Sequence, residues 1–167
     1  MLDLTTIRLS EPGDAAALAG LHAEAWRYAY RGIIPGIALE RMIARRGPAW
    51  WDSIHGSGHR ALVLEFDGRI AGYATFGRCR GRSDPPLGEI YELYVKPECH
   101  GAGFGRSLFD EARRRLRARH LEGVVVWALA DNELACRCYA ALGGRPRCST
   151  FETLGGVRLA KLAFHWP

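Results

Sequence analysis

Three glycines at alternate positions, Gly101, Gly103 and Gly105, lie between a strand-like run (residues 89–95) and an amphipathic run that reads as a helix. Leu108, Phe109, Ala112 and Leu116 fall on one side of that helix. Glycine lets the main chain approach a ligand, and the free N–H groups of a helix's first turn, with its dipole, form an anion site. The chemistry expected here is therefore binding of a phosphate-bearing molecule. Two common phosphate loops fail on spacing. A P-loop needs a Gly-Lys-Ser/Thr, whereas Arg106-Ser107 follows the glycines with no such lysine. A dinucleotide fingerprint needs G-x-G-x-x-G, and counting from Gly101 puts Arg106 in the last glycine's place. It also needs repeated strand–helix units, but about sixty residues remain and they end in a hairpin; only Asp131 speaks for it.

Other residues that could do chemistry flank this loop. Glu89 and Glu92 lie on the strand that leads into it. Asn132 and Tyr139 are seven residues apart on a later helical run, two turns on, so they share a face. Metal chemistry finds no pattern: His22, His55, His59, His120 and His165 lack ligand spacing, and the five cysteines form no C-x-x-C. Cys79, Cys99, Cys136, Cys138 and Cys148 read as reduced thiols of a cytosolic protein, with Cys136 and Cys138 pointing to different sides of their helix.

The elements that position these residues follow from periodicity and turn chemistry. Residues 5–9 read as a strand, and Asp14 as the cap of a helix over residues 15–30 carrying Leu18, Leu21, Ala25 and Trp26. Gly32 and Pro35-Gly36 end it, and a second helix runs over about residues 37–45. A short segment at Trp50-Trp51 to Ile54 leads to a Gly-Ser-Gly loop at 56–58. Strands at 60–66 and 69–77 are joined by Asp67-Gly68, a strong hairpin signal. A loop over 78–88 precedes the strand at 89–95. After the glycines come the helix, a buried-type strand at 124–129, a helix at 132–142 stopped by Gly143-Gly144, and a final hairpin at 147–153 and 157–164. The order β α α β β β α β α β β makes an α/β (α+β) mixed sheet, mostly antiparallel, with one parallel β-α-β unit. The reading is one domain over residues 1–167.

Composition bounds the rest. Apolar residues are 48% and charged residues 25%, which excludes disordered, collagenous and coiled-coil chains as global descriptions. No run approaches the ~18 apolar residues of a membrane helix, and the N-terminus lacks a secretory pattern, so the expected location is cytoplasmic. The 23 Lys and Arg against 18 Asp and Glu give a net charge of +5, suited to an anionic partner without choosing one.

His100-Gly-Ala-Gly-Phe-Gly105, after Leu93-Tyr-Val-Lys-Pro97 and before Asn132 and Tyr139-Ala-Ala-Leu-Gly143, resembles the acyl-CoA loop Q/R-x-x-G-x-G/A of the GNAT N-acetyltransferases and its flanks. The element order resembles that whole domain. Trp26, Tyr30-Arg-Gly-Ile-Ile-Pro35 and Trp50 resemble a subgroup of small bacterial members. His100 stands where Gln or Arg is usual, Ala102 where a basic residue is frequent, and Gly144 where an aromatic is usual.

The resemblance implies transfer of an acetyl group from acetyl-CoA directly to a primary amine of a small molecule or peptide, without a metal. It implies that His100, Gly101, Ala102, Gly103, Phe104, Gly105 and Arg106 hold the pyrophosphate. Leu93, Tyr94 and Val95 would align the pantetheine, which Asn132 also bonds, and would donate an amide to the thioester carbonyl. The strand would be splayed from its parallel neighbour by a bulge. A glutamate of that strand serves as base, and Glu89 matches the family position better than Glu92. Glu92 is an odd number of residues away and faces the other side of the sheet unless the bulge intervenes. Tyr139 would be the acid that protonates the departing thiolate. Tyr28 and Tyr30 are candidates for the acceptor wall, and Trp26 for the core.

The partners expected are acetyl-CoA and an amine acceptor, with a homodimer left open and no membrane. The competing class is a non-catalytic nucleic-acid-binding or CoA-binding regulatory module using the arginine-rich helix 106–120. Asp110 and Glu111 interrupt that stripe, which disfavours nucleic acid. Arg78, Arg80 and Arg82 of the preceding loop hint at an acceptor with a carboxylate or phosphate, although a solvated loop accounts for them too.

Overall fold

The computed structural model describes residues 4–57 and 61–167. One sheet of seven strands, in the order β1-β2-β3-β4-β5-β7-β6, runs through the molecule. Its strands are β1 (Thr5–Leu9), β2 (Leu62–Phe66), β3 (Arg69–Arg78), β4 (Gly88–Val95), β5 (Val124–Leu129), β6 (Arg145–Leu154) and β7 (Val157–Trp166). The helices are α1 (Ala15–Tyr30), α2 (Gly36–Ala44), α3 (Pro48–Gly56), α4 (Phe104–Arg117) and α5 (Glu133–Ala141). The Trp50-Trp51 segment is thus a full helix started by Pro48 at its first turn, one helix more than the sequence order allowed. The expected starts of the 60–66 strand (Arg60) and end of the 56–58 loop (Gly58), with His59, lie outside the described residues.

Neighbouring strands pair antiparallel except β4 and β5, which are parallel, as expected for a single β-α-β unit. Hairpin turns at Asp67-Gly68 and Gly155-Gly156 take positive φ at both central residues, the twist-compatible form for two-residue connections. Asp14 precedes α1 without bonding to it. Its carboxylate instead accepts from the Glu11 N–H at 2.7 Å and from Arg8, so it locks the entry turn rather than the helix.

Three apolar clusters are buried among the described residues, the smallest being Ile34, Leu39, Ile43, Leu129 and Leu159, and the two larger ones cover the two faces of the sheet. On one, Leu108, Phe109, Ala112 and Leu116 of α4 pack on Leu62, Leu64, Ile90, Val124 and Val126. On the other, Leu18, Leu21 and Ala25 of α1 and Trp51 of α3 pack on Val63, Ile70 and Tyr73. Each of the fully buried large side chains contributes roughly 1.5–3 kcal/mol of apolar burial. The missing aromatic at Gly144 is accounted for by Trp166. Its indole lies against Gly144, a Cβ there would collide with the ring, and its Nε1–H donates to the Leu142 carbonyl at 3.0 Å.

β4 carries the irregularity that shapes the site. Its pairing with β3 passes from Thr75↔Glu92 to Phe76↔Ile90, leaving Tyr91 as the extra residue of a bulge. The parity of the strand therefore switches: Leu93 and Ile90, three apart, both face the α4 core. Glu89 and Glu92 consequently share the opposite face, since the bulge does intervene between them. Beyond Glu89, β4 has no partner on its β5 side, because β4 and β5 pair only at Gly88↔Val124 and Glu89↔Val125 before diverging.

Candidate functional site

The divergence of β4 from β5 opens a cleft of about 840 Å³. Its walls come from Glu92 to Val95 of β4, Trp127 and Ala128 of β5, the glycine loop, Tyr28 and Tyr30 of α1, and one face of α5. Thus Glu92, Leu93, Tyr94, Val95, His100, Gly101, Gly103, Phe104, Gly105, Arg106, Asn132 and Tyr139, all singled out by sequence, line one cavity. Ala102 lies within the loop but not in this lining, and Glu89 is also outside it.

The loop leaves main-chain donors open to the cleft. Gly101 and Gly103 have φ of 83° and 84°, left-handed values that a side chain rarely adopts, and Gly103 is the residue that caps α4. The N–H groups of Phe104, Gly105 and Arg106 open the helix and have no carbonyl one turn back to bond. These donors and the helix dipole meet at the cleft. His100 serves the loop from behind: its Nε2–H donates to the Val95 carbonyl at 3.0 Å, fixing the loop to the end of β4, and Tyr28 packs edge-on against its ring.

On α5, Asn132 is the cap, its side-chain oxygen accepting from the Ala135 N–H at 3.2 Å. Tyr139 is 8% exposed, and burial raises the pKa of its hydroxyl. It therefore stays a protonated donor at neutral pH. No hydrogen bond to its hydroxyl is made by the described residues, while its ring packs on Phe164 and Trp166. Cys138, exposed, lines the cleft, whereas Cys136 turns toward the Leu129 carbonyl; all five cysteines are free thiols.

The two glutamates have different surroundings. Glu89 is 2% exposed and closed over by the Arg80 loop. It accepts from the Arg80 main-chain N–H at 2.9 Å and from its guanidinium at 2.6 Å. Glu92 lies inside the cleft wall. Both its oxygens accept from Arg46 Nη1 at 2.6 Å, and one also accepts from the Tyr73 hydroxyl at 3.0 Å. Beside it, the Tyr30 and Tyr94 hydroxyls are 2.6 Å apart, and burial raises the pKa of both. Under Arg46 lies His22, fully buried, with no hydrogen-bond partner at either ring nitrogen among the described residues. Desolvation, and secondarily the Arg46 charge, lowers its pKa to about 3. Trp26 packs against His22 and Tyr30 and is a wall of this cluster rather than of the cleft.

Arg46 and Tyr73 were not legible as site residues. Arg46 follows Arg45 at the end of α2 with no periodic signal, 46 residues from its partner, and Tyr73 reads simply as a strand aromatic. The helix arginines are largely engaged elsewhere: Arg114 and Arg115 pair with Glu111, and Arg113 donates to the Pro167 carbonyl. Among the described residues no group of three or more His, Cys, Asp or Glu could hold a metal, and no helix is long and apolar enough to cross a membrane.

A splayed parallel pair with a glycine loop at its mouth defines a class of nucleotide-thioester-binding acyltransferase folds, and comparison with known proteins agrees. Residues 20–143 match the Acetyltransferase (GNAT) family. The chain belongs to that family and is an acetyl-CoA-dependent acetyltransferase. Over 98% of this chain and 94% of the relative, it is 27% identical to the uncharacterized N-acetyltransferase YuaI of Bacillus subtilis. It is 32% identical to the mycothiol acetyltransferase of Streptomyces bingchenggensis over 89% of this chain, but spans only 44% of that relative. Among solved structures, yncA of Salmonella typhimurium, determined with its cofactor acetyl-CoA, superposes with a TM-score of 0.71 at 22% identity, covering 98% of this chain and 94% of that one. The PaiA N-acetyltransferase of Thermoplasma acidophilum, in complex with coenzyme A, gives 0.74 at 18% identity, covering 95% and 97%.

Proposed function

We propose that this protein transfers the acetyl group of acetyl-CoA to a primary amine of a small molecule or peptide by direct attack, with no acetylated side chain on the way. The observation that carries this reading is the single cleft joining the anion loop, the unpaired edge of β4, Tyr139 and Glu92. Acetyl-CoA supplies an activated thioester. The main-chain N–H groups of residues 101–106 hold its pyrophosphate, with His100 keeping the loop docked on Val95. The β4 edge at Leu93, Tyr94 and Val95 and the Asn132 side chain align the arm that carries the thioester, and a β4 amide polarises its carbonyl.

An amine arrives protonated and must lose a proton before it attacks. Of the two β4 glutamates Glu92 is the one that lines the cleft, on the wall beside the unpaired strand edge, so it draws the ammonium in and takes the proton, directly or through water. Both glutamates are paired with an arginine, Glu89 with Arg80 and Glu92 with Arg46, so access to the cleft separates them, and Glu89, which keeps the family position, is assigned to anchoring the 79–87 loop. Tyr139, neutral and with a free hydroxyl, protonates the departing thiolate.

Free-thiol release with a panel of amines tests this reading. Glu92→Gln and Tyr139→Phe are each expected to lower kcat by about 10²-fold while leaving the acetyl-CoA dissociation constant within a few-fold. Glu89→Gln is expected to lower thermal stability more than turnover. If Glu89→Gln abolishes turnover at unchanged melting temperature while Glu92→Gln is active, the base is Glu89 and the assignment is reversed.

A further inference from the structure

Against Glu92, just outside the residues that line the cleft, sits a half-used arginine. Arg46 meets Glu92 through Nη1 alone, with both carboxylate oxygens at 2.6 Å. Its Nε and Nη2 have no hydrogen-bond partner among the described residues. Four other paired arginines are engaged more fully, and only Arg115, through Nε to Glu111, is as sparsely used among the described residues. Arg27, Arg80 and Arg114 each direct Nε and Nη2 to one carboxylate, and Arg8 uses all three nitrogens. The idle fork is nevertheless held in place. The guanidinium carbon sits 4.2 Å from the centre of the Trp50 ring and 5.8 Å from that of Trp26. The Arg46 side chain is 26% exposed, so solvent-borne groups can reach it, and Glu92 beside it is 11% exposed.

A guanidinium fixed on an aromatic face, with two adjacent N–H groups free, matches a planar carboxylate in bidentate fashion. The neighbouring Glu92 is acceptor-only when ionised and matches an ammonium. An anion bound to Arg46 Nε and Nη2 would leave the Nη1–Glu92 contact intact, because different nitrogens are involved. We propose that the acceptor is an amino-acid-like zwitterion. Its carboxylate docks on the free edge of Arg46, and its ammonium faces Glu92 in the cleft wall. The inference rests on the acetyl-transfer reading and narrows it to amines with a carboxylate a few bonds away.

The test is thiol release by the wild-type protein with free amino acids, their carboxamides and the matching decarboxylated amines. Wild type is expected to prefer amino acids over carboxamides by at least about 10-fold in kcat/KM, the scale of one charge-assisted bidentate contact. Arg46→Gln is expected to collapse that ratio toward one, and Arg46→Lys, which keeps the charge but not the fork, to retain only part of it. Because the readout is a ratio within each variant, a general loss of activity from unpairing Glu92 does not imitate it. Equal use of carboxamides and amino acids by wild type, or a ratio unchanged in Arg46→Gln, overturns the zwitterion assignment and leaves acetyl transfer standing. Absence of thiol release with every amine, peptides included, would overturn both.

Discussion

The two ends of the cleft are built in opposite ways. The glycine-loop end is one continuous stretch of chain that presents main-chain N–H groups around two left-handed glycines. The Glu92 end is assembled from side chains of distant segments: Glu92 and Tyr94 from β4 and Tyr30 from α1 line the cleft, and behind them Tyr73 from β3 and Arg46 from the turn before α3 hold Glu92, with Trp50 of α3 against the guanidinium. A main-chain site depends on conformation, and most of its side chains can change. A side-chain site depends on identity and on the packing that brings the groups together. On the function proposed above, the departures at His100 and Ala102 cost little for that reason, while the Glu92 end has no comparable freedom.

The comparison can be broken most sharply at Gly103. A valine there has to adopt a φ of 84°, at a cost of about 1–3 kcal/mol for a residue held in a sparsely populated region. Gly103→Val is therefore expected to weaken acetyl-CoA binding by roughly 10- to 100-fold in calorimetric titration. Affinity close to wild type would show that the main chain does not make this end of the site.

Acid should attack the other end first. The folded chain keeps His22 neutral down to about pH 3, whereas the unfolded chain takes up that proton near the ordinary value of 6.5. The unfolded state thus binds the extra proton throughout that window. Stability is full above about pH 6.5 and falls on acidification by about 1.4 kcal/mol per pH unit from this group. Denaturant melts between pH 7 and pH 4 should show the slope in wild type and a shallower one in His22→Phe. Parallel slopes would mean that His22 is not held neutral.

The smallest effect sharpens the contrast from the loop side. Ala102→Arg adds the basic residue frequent in the family, and a surface charge near an anion is worth about 0.3–1 kcal/mol at low ionic strength. Acetyl-CoA should bind about 2- to 5-fold tighter in low salt, with the gain disappearing in high salt. A larger, salt-resistant gain would mean that side chains matter at this end more than the geometry implies.

The same division explains what was legible beforehand. The loop, its strand and its helix are local, so spacing alone located Gly101 to Arg106 and rejected the P-loop and dinucleotide alternatives. Asn132 and Tyr139 were readable for the same reason, being two helical turns apart. Which of Glu89 and Glu92 lines the cleft was not, because spacing does not show where a strand pairing bulges or ends. With the bulge at Tyr91 the two glutamates share a face, and Glu89 lies where β4 still pairs with β5 while Glu92 lies beyond the divergence. α3 was underestimated because nine residues bounded by glycines give too few turns for a clear period.

The order of the strands and of four of the five helices, the glycine loop and, through resemblance, the acetyl-CoA chemistry were readable from the sequence, because those reside in local conformation and short spacing. Tertiary structure decided which carboxylate faces the cleft, that Trp166 replaces the aromatic absent at Gly144, and that Arg46 stands beside Glu92 with a free edge. Each of those is a contact between segments far apart in the chain. Such contacts are fixed by sheet register and by the packing of α1 and α3 on the sheet, which no local pattern encodes.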